Sequence, residues 1–155
     1  MKKSLVLITA SLLMFYSCNA GDPQKPASAS GAKPAVAIVY LTNETFKQKI
    51  FNYETTSQWK FAGNKPAIID FYADWCAPCR QLSPVIAEIA NEYNGKIDVF
   101  KVDTEKEQLL SQNLGIQSLP TILFIPLQGK PQVVMGALPK EQLVKAIQEI
   151  LQVNP

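Results

Sequence analysis

The chain has 155 residues, 47% of them hydrophobic and 18% charged, with a formal net charge of +2 and no histidine. That size accommodates one globular domain with some sequence to spare and excludes a second full domain. The excess positive charge lies in Lys2 and Lys3; without them 13 acidic side chains face an equal number of basic ones, which leaves no electrostatic case for binding nucleic acid.

At the N-terminus, Met1-Lys2-Lys3 forms a basic start, and Leu5 to Tyr16 is an apolar run too short to span a bilayer. This pattern predicts an export signal over residues 1–17. It closes on Ser17-Cys18-Asn19, where a cysteine after a small residue resembles the lipobox of bacterial lipoproteins, although Phe15 and Tyr16 depart from the usual residues. Cleavage after Ala20 is the alternative. Lipidation of Cys18 would consume one of the three cysteines and leave a single pair. In either case the expected location is outside the cytosol, in the periplasm or tethered to a membrane as a lipoprotein, where disulfides persist. Residues 18–35, with Gly21, Pro23, Pro26, Gly31 and Pro34 among Ala, Ser and Lys, read as a flexible linker, and residues 36–155 as the folded domain.

Within the domain the pattern alternates between strand and helix. Ala35 to Leu41 is rich in β-branched residues and predicts a strand; Thr42-Asn43 then supplies N-cap chemistry for a short helix around Phe46 to Asn52. Tyr53 to Lys65 is polar around an isolated Trp59 and reads as irregular. Ala67 to Tyr72 (AIIDFY) is a near-continuous apolar run, the signature of a strand buried on both faces, with Asp70 its one charge. Leu82, Val85, Ile86, Ile89, Ala90 and Tyr93 define one helical face over residues 76–94, interrupted by Pro84, where a kink is expected.

Ile97 to Val102 predicts the next strand, Glu105 to Leu114 a short helix stopped by Gly115, and Thr121 to Ile125 another buried strand. Gln132 to Met135 follows as a short strand, and Pro139 to Val153 as a closing helix with Pro139 at its first position. The order predicts an α/β fold with a central mixed sheet.

Two cysteines, Cys76 and Cys79, stand three apart in Asp74-Trp75-Cys76-Ala77-Pro78-Cys79, at the C-terminal edge of a buried strand and the start of a helix. Open α/β sheets place their chemistry at that edge. Cys76 would sit beside unsatisfied backbone N–H groups and the positive end of the helix dipole, which favours a thiolate nucleophile. Cys79, one turn in and better buried, could close a disulfide with Cys76 or resolve a mixed disulfide held there. A structural zinc site lacks ligands, since the chain has no His and no second Cys pair. A purely structural disulfide closing so short a loop would gain little, and two inert buried cysteines are the remaining bland reading. Copper delivery would want Met or His beside the pair.

Together these residues resemble the thioredoxin family, over about Ile38 to Leu151. The active-site pattern W-C-x-P-C stands as Trp75 to Cys79, the buried acid as Asp70, and its lysine partner as Lys101. Gly115 to Thr121 is similar to the segment ending in the family's cis-proline at Pro120, and Pro84, Gly129 and Gly136 match the helix kink and late glycines. The resemblance implies a thioredoxin fold with helices on both faces of the sheet. It also implies a thiol-disulfide oxidoreductase that needs no cofactor beyond the Cys76/Cys79 pair and holds no metal.

In that reading Asp70, its proton affinity raised by burial, accepts the proton of Cys79, and Lys101 modulates it. Trp75, Ala77, Pro78, Leu119 and Pro120 form the substrate-binding surface, with an extended substrate segment pairing beside Pro120. The expected partners are proteins with thiols or disulfides and a membrane or periplasmic thiol redox partner, and the expected state is a monomer. Ala77 and Tyr72 stand where many relatives have Gly and Trp, so a reduction potential does not carry over. The competing function is a thioredoxin-fold binding or holding module in which Trp75, Pro78 and Pro120 grip extended chains without turnover.

Overall fold

A computed structural model describes residue 36 and residues 38–155. The expected signal, linker and Cys18 lie outside the described residues. Five strands, β1 (Val39–Tyr40), β2 (Ala67–Tyr72), β3 (Asp98–Asp103), β4 (Thr121–Ile125) and β5 (Gln132–Met135), form one sheet in the order β1-β3-β2-β4-β5. β1, β3 and β2 run parallel, and β4 and β5 are added antiparallel, so the sheet is mixed as expected. Among the described residues four helices accompany the sheet: α1 (Asn43–Lys49), α2 (Ala77–Glu92), α3 (Gln108–Asn113) and α4 (Lys140–Ala146), the last running on into a π-helical turn over Ile147–Leu151.

Side chains alternate across β2 and β3, and the two faces bury different helices. Ala67, Ile69 and Phe71 of β2, with Phe100 and Val102 of β3, pack against Phe46 and Ile50 around α1 and Leu110 of α3. Ile68 and Val99 face the opposite way, onto Leu82, Ile86 and Ile89 of α2 and Leu143 of α4. Each fully buried side chain of this size contributes about 1.5–3 kcal/mol of transfer free energy. Lys140 ties α4 to α2 through Glu88 and Glu92.

Strands appear where the residue pattern predicts them: β2, β4 and the mostly exposed β5 match residue for residue, and β3 is displaced by one. The first strand does not. Ala35 and Ala37 lie outside the described residues, and among the rest of the run to Leu41 only Val39–Tyr40 pairs, at the sheet edge, where β1 meets β3 at Phe100 and Lys101 and both its residues are exposed.

α1 starts earlier than Phe46 and ends before Asn52, because Thr42 closes a capping box with Thr45. α3 starts later than Glu105: the Asp103 carboxylate accepts from the Glu105 and Lys106 amides and holds that stretch as a turn. Pro139 is the N-cap of α4 and not its first helical residue; its backbone is extended and its carbonyl accepts from Gln142 and Leu143. The closing helix ends at Leu151, before Gln152 with φ 58°, short of Val153. α2 runs through Pro84 as one element. Pro84 has no N–H to give, so the Arg80 carbonyl loses its helical partner there.

The segment from Tyr53 to Lys65 is irregular, and its job is packing. Trp59 stacks on Phe51 with ring centroids 4.9 Å apart. Tyr53, Trp59 and Phe61 cover the α1-side cluster, and the Ala62 amide donates to the Ile50 carbonyl at 2.8 Å.

Candidate active site

β2 ends at Tyr72, and the chain turns through Ala73, Asp74 and Trp75 before entering α2. Cys76 is the N-cap of that helix, with extended backbone, and its sulfur accepts a hydrogen bond from the Cys79 amide at 3.2 Å. Ala77 and Pro78 occupy the first two helical positions, where proline sacrifices no helical hydrogen bond. Cys76 and Cys79 are joined by a disulfide with S–S 2.04 Å. Both thiols are almost fully enclosed, Cys76 at 3% and Cys79 at 2% exposure, so burial does not separate them as the sequence suggested. Their positions do: Cys76 lies at the cap, where the free amides and the helix dipole favour a thiolate, and Cys79 lies inside the first turn.

Around the buried pair runs an exposed rim of Asp74, Trp75, Ala77 and Pro78. Trp75 is 66% exposed, so core packing is not its role. On the other side Leu119 packs against Ala73, Cys76 and Cys79, which brings the loop before β4 to the disulfide. The Leu119–Pro120 peptide is cis. The Pro120 carbonyl accepts from the Gly136 amide at 2.8 Å, and Gly136 takes φ 91°, a left-handed conformation that suits glycine. All five expected substrate-surface residues thus flank the disulfide or the loop packed on it.

Behind Cys79 the α2 side of the sheet turns polar. Asp70 is 0% exposed and sits opposite Lys101 in the β2–β3 register. The Lys101 ammonium lies 2.9 Å from Asp70 Oδ2, donates to Ser83 Oγ at 3.0 Å and stands 4.6 Å from the centroid of the Tyr72 ring. Lys101 is 4% exposed and not a surface residue of a strand edge.

Burial pushes the Asp70 carboxyl above the usual carboxylate range, with the Lys101 charge pulling against that shift. Lys101 acts on Asp70 both by its charge and by its close approach to Oδ2, while Oδ1 has no hydrogen-bond partner among the described residues. A cavity of about 230 Å³ lies here, and Cys79, Ser83, Lys101 and Tyr72 all line it. It joins the inner sulfur to Lys101, the partner of Asp70.

Chemically, the arrangement offers an activated outer sulfur, an inner sulfur able to resolve, and a buried carboxylate with raised proton affinity near it. Among the described residues no cluster of three or more His, Cys, Asp or Glu could hold a metal ion. Sequence reasoning missed Ser83 and the contact of Tyr72 with Lys101. Ser83 lies four residues after Cys79, so the helical period already places it on the Cys79 face.

Comparison with known proteins follows the same outline. The thioredoxin family model matches residues 37–149. The thioredoxin of Borreliella burgdorferi is 49% identical over 111 residues, which cover 72% of this chain and 95% of that protein. Thioredoxin 1 of Nostoc sp. is 36% identical over 115 residues, covering 74% and 98% respectively. Among solved structures, chloroplastic thioredoxin z superposes with a TM-score of 0.63 at 28% identity, over 76% of this chain and 97% of that one.

Proposed function

Because the chain belongs to the thioredoxin family and is a protein disulfide oxidoreductase working through its own Cys76–Cys79 disulfide without a cofactor, we propose that it serves exported proteins, as a monomer, with Cys76 as nucleophile and Cys79 as resolving thiol. The observation that carries the division of labour is the placement of Cys76 at the cap of α2 and Cys79 within its first turn.

In the reduced protein the Cys76 thiolate attacks one sulfur of a substrate disulfide. An S–S bond forms between Cys76 and substrate, the substrate S–S bond breaks, and the departing thiolate takes a proton from solvent. The Cys79 thiol then passes its proton to the Asp70 carboxylate, directly or through a water, and attacks the Cys76 sulfur. This breaks the mixed disulfide, releases the second substrate thiolate and leaves Cys76–Cys79 oxidised. Two electrons have moved from the dithiol to the substrate. Run in reverse, the same steps oxidise a substrate dithiol.

Lys101 moderates the proton affinity of Asp70, while Trp75, Ala77, Pro78, Leu119 and Pro120 receive the extended substrate segment. A membrane or periplasmic thiol partner restores the starting state.

Export is supported by Lys2, Lys3, the apolar run from Leu5 to Tyr16 and Cys18, which we read as a lipidated anchor. Labelling of intact cells with a membrane-impermeant maleimide tests it after mild reduction. Modification of Cys76 without cell lysis is the expected result, and Cys18→Ser should move the protein from the membrane to the soluble fraction. Protection of Cys76 until lysis would place the protein in the cytosol and end the export reading.

A further inference from the structure

Lys101 is held by more than its carboxylate partner. An ammonium has three N–H bonds to give. Lys101 Nζ gives one to Ser83 Oγ at 3.0 Å, while the ring of Tyr72 lies 4.6 Å from the same nitrogen. Asp70 Oδ2, at 2.9 Å, is closer than either, while Oδ1 has no hydrogen-bond partner among the described residues. The ammonium is thus shared between the serine hydroxyl and one carboxylate oxygen. Direction matters here, because a charge-assisted hydrogen bond to a carboxylate is about twice as strong as a neutral one and holds the acceptor in its ionised form.

We propose that Ser83 is a positioning residue: by accepting from Lys101 it draws the ammonium partly away from Asp70, holding the lysine at Oδ2 and leaving Oδ1 free for the Cys79 proton. The inference rests on Asp70 being the proton acceptor for Cys79. It explains why a polar side chain occupies this point of α2, four residues beyond Cys79 and lining the same cavity. The other charged or titratable groups around that cavity are Tyr40 of β1, Tyr72 of β2, Asp74 of the turn, and Arg80 and disulfide-bonded Cys79 of α2. β4 offers Asp70 only Ile122, its register partner. Arg80 donates from its side chain to the Asp74 carbonyl at 2.8 Å and is exposed, so it supplies no second hydrogen bond to Asp70.

The test is a titration of the Asp70 carboxyl by carbon NMR in the oxidised full chain, in the parent and in Ser83→Ala, Ser83→Thr and Lys101→Met. Without the serine hydroxyl, Lys101 turns onto Asp70, and the Asp70 midpoint should fall by about half a pH unit or more, the size of one modest charge-assisted contact. Ser83→Thr keeps the hydroxyl and should keep the parent midpoint. In a Lys101→Met background, Ser83→Ala should no longer move it. A midpoint that is unchanged or raised in Ser83→Ala, or an equal fall with and without Lys101, overturns the proposal. Turnover is not needed for this readout. A failure of the wider reading would show separately, as disulfide turnover that survives Cys76→Ser.

Discussion

On the α1 side of the β2–β3 pair, Ala67, Ile69 and Phe71 meet Phe100 and Val102; the one charge on that face, Asp98 opposite Ala67, lies where the strands begin, and the end nearest the disulfide is apolar. On the α2 side the same two strands begin apolar, with Ile68 beside Val99, but the next register pairs are Asp70 with Lys101 and Tyr72 with Asp103. The change comes where the strands approach the disulfide. One face stays apolar at its C-terminal end; the other gives up apolar burial there to place a charge pair whose lysine lines one cavity with Cys79. Burying such a pair is a poor source of stability, and replacing it with well-packed apolar groups is often neutral or favourable. Its presence under the thiols is therefore best explained by the chemistry above it.

The comparison can be broken most forcefully on the apolar face. Phe71→Ala should cost about 3–5 kcal/mol of stability, the usual range for deleting a fully buried phenylalanine. The reduction potential of the remaining folded protein should be unchanged, as urea unfolding and a glutathione titration would record. On the polar face, Asp70→Asn should act in the opposite direction. Burial raises the folded-state proton affinity of Asp70 above its unfolded value. Its contribution to stability is therefore full below the unfolded pKa and is lost as pH rises through the folded one.

Removing that charge should raise the stability of the oxidised protein on the alkaline side and flatten the dependence of stability on pH. Resolution by Cys79 should slow by about 10²-fold, the low end of what a general base supplies. Lys101→Met removes the opposing charge, so the Asp70 midpoint should rise by about one pH unit or more, and the alkaline loss of stability should deepen at constant Phe71 packing. The smallest effect belongs to neither face: Thr42→Ala deletes the α1 capping box and should cost about 1 kcal/mol without touching turnover.

How far the amino-acid order foretold this division depends on the residue. AIIDFY and TILFI are readable to the residue because strands covered on both faces leave no ambiguity of period. The first strand is not, because an edge strand with two pairing partners ends where its neighbour stops receiving it, and nothing in Ala35 to Leu41 marks that point. The late start of α3 depends on Asp103 turning back on the Glu105 and Lys106 amides, a local competition that helical periodicity does not register. At the site, the Cys76–Cys79 spacing identifies the chemistry, and an acid in an apolar strand identifies Asp70 as unusual. Ser83 carries no such mark. A serine on a half-buried helical position is ordinary, and its meaning appears only once Lys101, eighteen residues later, reaches it across the sheet.

The measurement that bears most directly on the account is trapping of a mixed disulfide. The reduced Cys79→Ser and Cys76→Ser proteins would each be mixed with a peptide disulfide and mapped by mass spectrometry. The account predicts a stable peptide adduct on Cys76 in Cys79→Ser and little or none in Cys76→Ser, because only the sulfur at the cap of α2 faces the free amides that favour a thiolate. An adduct formed equally fast on Cys79, or none in either protein, would contradict it.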